Sequence, residues 1–171
     1  MKEFRTLISK EAIENRIKEL AKQIDNDYEG EQFLLVAVLR GSFIFVADLI
    51  REIEGDVSVD FIEAKSYCGT TTSGELKILK DTRENIEGKN VIIVEDIIDT
   101  GITLDRLTKE FLKRKPKSLK ICACFDKPSR REVELKGDYI GFEIPNEFVI
   151  GYGLDYDEKF RNLKEVKIYE E

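Results

Sequence analysis

Glu95, Asp96 and Asp99 stand close together in VIIVEDIIDTGIT, residues 91–103, and Thr100, Gly101, Ile102 and Thr103 follow them at once. Neighbouring carboxylates can accept hydrogen bonds from two vicinal hydroxyls and can hold a divalent cation near them. A turn of small, hydroxylated and flexible residues that opens a helix offers amides and hydroxyls to a phosphate. Ribose 5-phosphate has that layout. An acidic surface turn with a capping threonine would account for Thr103, but not for two acids directly behind the aliphatic run Val91 to Val94. A second candidate anion site is the trio Arg40, Gly41 and Ser42, between an apolar run and an apolar helix. There a guanidinium and exposed amides can face one ligand, although for the trio alone a tight turn with a solvated arginine is the better reading.

These groups need a sheet and helices to hold them. Val91 to Val94 has the β-branched composition of a strand covered on both faces, which places the two acids at its carboxyl end, where open α/β sheets bind ligands. From Thr103, TLDRLTKEFLKRK puts Leu104, Leu107, Phe111 and Leu112 on one helical face, and Lys113, Arg114, Lys115 and Pro116 suit its end. Phe33 to Leu39 reads as another buried strand before the helix FIFVADLIREI, and SLKICACF as a third. Strand, helix, strand thus recurs twice, which predicts an α/β protein with a mainly parallel sheet and right-handed crossovers. Upstream, Ser9 caps a helix carrying Ile13, Ile17, Leu20, Ala21 and Ile24 at helical spacing. In VSVDFIEAKSY, Val57, Val59 and Phe61 alternate as one covered strand face. YCGTTTSGE, residues 67–75, is too rich in glycine and hydroxyls to pack, and is either an idle hairpin tip or an active-site lid before LKILK returns as a strand. DKPSRR is a basic loop; YIGFEI, FVIGYGLDY and VKIY complete the set as strands.

Composition narrows the chemistry. At 171 residues one domain is expected, and 28 basic against 35 acidic side chains give a net charge of −7, which argues against a broad grip on nucleic acid. No apolar run approaches a membrane span, and the first residues lack the apolar core of a secretory signal, so a cytoplasmic location is expected. There is no histidine, so acid/base work falls to carboxylates, lysine or tyrosine. Cys122 and Cys124 are two apart on a strand and are read as buried free thiols, and Cys68 as incidental. Gly151–Tyr152–Gly153 lacks the third glycine and following helix of a dinucleotide site. Asp99–Thr100–Gly101 matches the aspartic-protease triplet, but a single copy would need a homodimer, and a following helix fits an all-β protease poorly.

VIIVEDIIDTGIT resembles the phosphoribosyl pyrophosphate motif of the type I phosphoribosyltransferases. The whole chain from Ile8 to Tyr169 is similar to the bacterial hypoxanthine-guanine branch of that family. VLRGS, residues 38–42, resembles its pyrophosphate loop, Leu39, Arg40 and Gly41 included, with a cis peptide expected between Leu39 and Arg40. SYCGTTTSG, residues 66–74, resembles its catalytic lid, with Ser66 and Tyr67 closing over the reaction centre. FDKPSRR assigns Lys127 to the purine 6-oxo group. In EFVIGYGLDYDEKFRNL, Phe148 matches the base-stacking residue and Val149 the residue whose backbone meets the base edge. Asp155 matches a ligand of a second Mg²⁺, direct or through water, and Arg161 the pyrophosphate arginine. The resemblance implies a single domain over residues 1–171: a core at about 30–130, a hood from the N-terminal segment and about 135–171, and a flexible lid at about 66–76. It implies transfer of a 5-phosphoribosyl group from phosphoribosyl pyrophosphate to hypoxanthine or guanine, giving IMP or GMP and pyrophosphate in purine salvage. Asp99 beside the purine N7, Lys127 and Arg161 would be catalytic. Glu95 and Asp96 would hold the ribose hydroxyls and, with Asp155, Mg²⁺, while Thr100, Gly101, Ile102 and Thr103 take the 5′-phosphate. The expected partners are these small molecules and a homodimer or homotetramer, not nucleic acid or membrane. A regulatory nucleotide- or RNA-binding protein on the same fold is the competing reading, disfavoured by the acidic net charge.

Overall fold

The computed structural model describes residues 4–67 and 74–170. Most of the lid stretch, Cys68 with it, lies outside them. Its frame is a six-stranded sheet of β2 (Phe33–Val38), β3 (Val57–Tyr67), β4 (Glu75–Lys80), β5 (Asn90–Ile98), β6 (Ser118–Asp126) and β7 (Tyr139–Glu143), in the order β4-β3-β2-β5-β6-β7. All neighbours run parallel except the hairpin β3–β4. The expected α/β class with a mainly parallel sheet is therefore what forms. A second, antiparallel sheet joins β1 (Thr6–Ile8), β9 (Val166–Ile168) and β8 (Val149–Ile150), in the order β1-β9-β8.

Two apolar layers explain why this sequence closes. On one face lie α1 (Lys10–Asp27) and α2 (Phe43–Glu52), whose Ile13, Ile17, Leu20, Phe45 and Leu49 pack with Leu35, Ala37, Ile92 and Val94. On the other, α3 (Ile102–Lys113) sets Leu104, Leu107 and Phe111 against Leu34, Val36, Val91 and Ile93. Residues alternating along β2 and β5 thus feed opposite layers, and all of Phe33 to Val38 and Val91 to Val94 are buried. Ser9 caps α1 through a hydrogen bond from the Ala12 amide. Cys122 and Cys124 are buried free thiols.

Several expectations need correction. Leu112 is exposed, because at ~100° per residue it lies about 140° around α3 from Leu107, off the packed stripe. Val59 is also exposed, beyond the helical cover, while Asp60 and Ile62 on the opposite face are buried. FVIGYGLDY is no continuous strand: β8 ends at Ile150, and Gly151, Tyr152 and Gly153 all take positive φ. Helix α3 begins at Ile102, and its N-cap is Gly101 in the left-handed conformation, with no capping side chain. Finally, β5 does not end before the acids but runs through Glu95 and Asp96 to Ile98.

Asp60 shows how a buried charge is held. Its Oδ2 accepts from the amides of Arg83 at 2.7 Å and Glu84 at 2.9 Å, and its Oδ1 from the Phe61 amide at 2.7 Å. Burial pushes its carboxyl up, but the Glu84, Phe61 and Arg83 amides outweigh that and hold it below the usual value. A lowered acid pKa stabilises the fold above the unfolded value near 3.8 and loses that contribution as pH falls through the folded value. Asp60→Ala leaves two part-buried amides from the segment after β4 without their charged acceptor, at a cost of about 2–3 kcal/mol. The expected result is a melting temperature lower by roughly 4–10 °C at pH 7. The gap should narrow as both proteins are melted at pH 4 and then 3; a constant gap would reject the charge-based account.

Candidate active site

A split between two strands makes the cleft. The β2–β5 ladder ends at Ala37↔Val94, while β5 stays paired to β6 as far as Ile98↔Asp126. The chain after β2 turns instead toward β3, where the Leu39 amide donates to the Ile62 carbonyl at 2.8 Å. One crossover leaves β2 toward β3 and the other leaves β5 toward β6, so this is the switch point of the sheet, and from Glu95 onward β5 has no β2 neighbour. Arg40, Gly41 and Ser42 border the opening on one side, and Glu95 to Thr103 on the other.

The Leu39–Arg40 peptide is cis, as expected. Ser42 anchors this turn by donating from Oγ to the Val38 carbonyl at 2.5 Å. Gly41 must be glycine: a methyl group there would overlap the Asp96 carboxylate. Gly153 lies behind it, at φ 95°, where a Cβ would strike the Gly41 carbonyl. Backbone therefore touches backbone and carboxylate directly, and three distant segments share one wall of the cleft.

Glu95 and Asp96 form a half-buried acid pair. Burial, the Asp96 charge and a hydrogen bond with Asp96 push the Glu95 carboxyl well above the ordinary range. Asp96 is raised too, chiefly by burial, although its bond with Glu95, the Ile97 amide and the Arg161 guanidinium draw it back. Arg161 only partly offsets the repulsion, since both carboxyls stay raised, and their hard oxygens suit a cation such as Mg²⁺. Among the described residues no group of three or more His, Cys, Asp or Glu is arranged to hold a metal. That fits an ion that keeps water and substrate oxygens and takes only one or two carboxylates. Asp155 is engaged elsewhere: Oδ2 accepts from the Glu158 amide at 2.9 Å and Oδ1 lies 3.2 Å from Arg161 Nη2.

Arg161 also donates from Nη1 to the Gly153 carbonyl at 2.7 Å, which fixes its guanidinium beside the glycine wall. Asp99, just past β5, accepts at Oδ1 from Arg130 Nε at 3.0 Å, and its carbonyl accepts from Arg131 Nη1 at 2.6 Å. Arg131 is itself paired with Asp126. Thr100 and Gly101 lead into the uncapped first turn of α3, where the Ile102 amide meets Thr100 Oγ1 at only 3.4 Å. Unspent amides at a helix start favour an anion. Thr103 donates from Oγ1 to Ser66 Oγ at 3.0 Å, tying the end of β3 to this turn; Tyr67 beside it is exposed.

The third wall is built for a flat, polar ring. Lys127 follows β6, is 7% exposed, and donates from Nζ to the Glu147 carbonyl at 2.7 Å. Burial lowers its pKa, against a smaller upward pull from Asp99, so the two side chains are electrostatic neighbours. Phe148 is 52% exposed and is held edge-on by Tyr156 and Tyr169, at ring separations of 5.7 and 5.8 Å. Val149 is buried in β8, an edge strand paired only with β9 in its sheet. Sequence reading named neither Arg130 nor Arg131 individually, and it missed Glu158 altogether. The basic loop DKPSRR was the only available signal for the first two.

A family model described as a phosphoribosyl transferase domain matches residues 6–157. Hypoxanthine-guanine phosphoribosyltransferase of Streptococcus thermophilus is 50% identical over 166 residues, covering 96% of this chain and 92% of that protein. Hypoxanthine phosphoribosyltransferase of Escherichia coli is 51% identical over 160 residues, covering 92% and 90%. A crystal structure of a hypoxanthine-guanine phosphoribosyltransferase from Bacillus anthracis superposes with a TM-score of 0.93 at 54% identity, covering 98% of this chain and 100% of that one.

Proposed function

The chain belongs to the phosphoribosyltransferase family, with the type I fold and enzymes of the hypoxanthine-guanine type as its relatives, and from that premise we propose how its own residues carry out the transfer. It moves the 5-phosphoribosyl group of phosphoribosyl pyrophosphate to hypoxanthine or guanine, giving IMP or GMP and pyrophosphate. The observation that carries this reading is the cleft itself. A half-buried acid pair, an uncapped helix start and a buried lysine beside an exposed phenylalanine surround the point where β2 and β5 part.

Glu95 and Asp96 accept the ribose 2- and 3-hydroxyls, and Thr100 to Thr103 wrap the 5-phosphate. Phe148 stacks on the purine, the Val149 backbone meets its edge, and Lys127 donates to O6. Asp99, next to N7, is the acid/base group. As the glycosidic C–O bond breaks, negative charge grows on pyrophosphate, and Arg40 and Arg161 face it. Ser66 and Tyr67 cover the centre and keep water from the activated sugar. Mg²⁺ held by Glu95 and Asp96, and a second Mg²⁺ held directly or through water by Asp155, would supply further charge neutralisation on the leaving group.

Glu95→Gln separates binding from stability. Removing a half-buried acid that repels Asp96 should raise the melting temperature of the free protein at neutral pH by about 2–4 °C, for ~1 kcal/mol. The same change should weaken phosphoribosyl pyrophosphate with Mg²⁺ by about tenfold, read by calorimetry. A lower melting temperature would contradict the repulsive pair.

The decisive test of the activity is incubation with phosphoribosyl pyrophosphate, MgCl₂ and each purine in turn, followed for nucleoside monophosphate. No product with either hypoxanthine or guanine rejects the reading. Assembly as a homodimer or homotetramer and residence in the cytoplasm remain part of this proposal. Both are supported by the family resemblance; among the described residues no helix is long and apolar enough to cross a membrane.

A further inference from the structure

Glu158 lies between the two arginines assigned above to pyrophosphate. Its Oε2 is 3.2 Å from Arg40 Nη1 and 3.3 Å from Arg161 Nη2, so a single oxygen bridges both guanidiniums. Arg161 is anchored independently by the Gly153 carbonyl and Asp155, but Arg40 makes no other ion pair among the described residues. The bridging carboxylate is also deliberately aimed. Asp157 and Glu158 have φ of 51° and 58°, in the left-handed region that side chains disfavour, and the Glu158 amide is clamped on Asp155 Oδ2 at 2.9 Å.

We infer that Glu158 is an internal counter-ion of the pyrophosphate subsite, one that occupies the Arg40–Arg161 pair in the free enzyme and must leave it when pyrophosphate binds. The inference rests on the proposed role of those two arginines. A carboxylate and a pyrophosphate oxygen compete for the same donors, so pyrophosphate binds only net of two ion pairs. Those pairs are of the right strength to yield. Arg40 and Glu158 are both more than half exposed, and exposed pairs are individually weak. They nevertheless keep a long side chain near its working position, which lowers the ordering cost when the ligand arrives. The consequence is weaker product binding and faster product release, a step that limits turnover in many enzymes.

Glu158→Gln keeps the size and removes the charge. Calorimetry with inorganic pyrophosphate and MgCl₂ should show binding tightened by about 3–10-fold, as expected for loss of one exposed and one partly buried competing pair. Pyrophosphate should inhibit the forward reaction correspondingly better, with release slowed in pre-steady-state traces and the melting temperature unchanged. Arg161→Gln, measured beside it, should lose pyrophosphate affinity. If Arg161→Gln does so while Glu158→Gln binds pyrophosphate equally or more weakly, the counter-ion role is overturned and the arginine subsite stands. A weakened Glu158→Gln would mean that this carboxylate helps to hold the Mg²⁺–pyrophosphate complex. If Arg161→Gln binds pyrophosphate normally, the subsite and the inference fall together.

Discussion

Asp99→Asn is expected to lower turnover by about 10² to 10⁴, the usual contribution of a positioned proton donor or acceptor, with phosphoribosyl pyrophosphate binding nearly unchanged. The geometry makes this a clean substitution. Asparagine keeps an oxygen to accept from Arg130 Nε, and the hydrogen bond between Arg131 and the Asp99 carbonyl does not involve the side chain. The ability to exchange a proton with the base is removed, and with it the charge that faces Arg130 and Lys127. Turnover comes from steady-state and single-turnover rates with hypoxanthine, and donor affinity from calorimetry. Wild-type turnover would remove Asp99 from the proton transfer. An equal loss in donor affinity would assign it to binding instead.

Lys127→Ala is expected to lower the efficiency of 6-oxopurine use by about 10² or more, while the donor still binds. A buried ammonium donates one hydrogen bond to the Glu147 carbonyl and has two donors left for a ligand. Without it the purine O6 would lose a charged partner. The wild-type enzyme carries its own signature of this role. Burial lowers the Lys127 pKa from 10.5, and only the protonated form donates, so hypoxanthine efficiency should fall as pH rises through that lowered value. The alanine variant should lack this alkaline decline. Wild-type efficiency with hypoxanthine in the variant would sink the assignment, and a lowered melting temperature would trace the loss to the Glu147 contact.

Much of this architecture was legible beforehand where local pattern and tertiary burial agree. The α1 residues Ile13 to Ile24 read as a buried stripe and are one. Val91 to Val94 read as a doubly covered strand, and the cis Leu39–Arg40 peptide followed from the family resemblance. What escaped depends on long-range geometry. β1 is three residues long and exists only because β9 pairs with it, so it has no periodicity to detect. The extension of β5 through Glu95 and Asp96 is imposed by β6, against the ordinary reluctance to place acids in a strand interior. Glu158 reads as one more surface charge until the left-handed turn at Asp157 swings it onto two arginines. The site residues from Arg40 to Arg161 could be placed by motif. The contacts that tie them together, Gly41 on Asp96 and Gly153 on Gly41, could not.

That glycine wall also has a bearing on timing. Gly41 and Gly153 are 153 − 41 = 112 positions apart, yet each presses on the other with no side chain between them. A ribosome adds roughly 5–20 residues per second, so a growing chain displays its donor-side turn for several seconds before the backing glycine exists. Glu95 and Asp96 join the turn about halfway through that interval, and until it ends nothing presses them into register. Catalytic competence is therefore a property of the finished chain, acquired in one late step and not accumulated along the way.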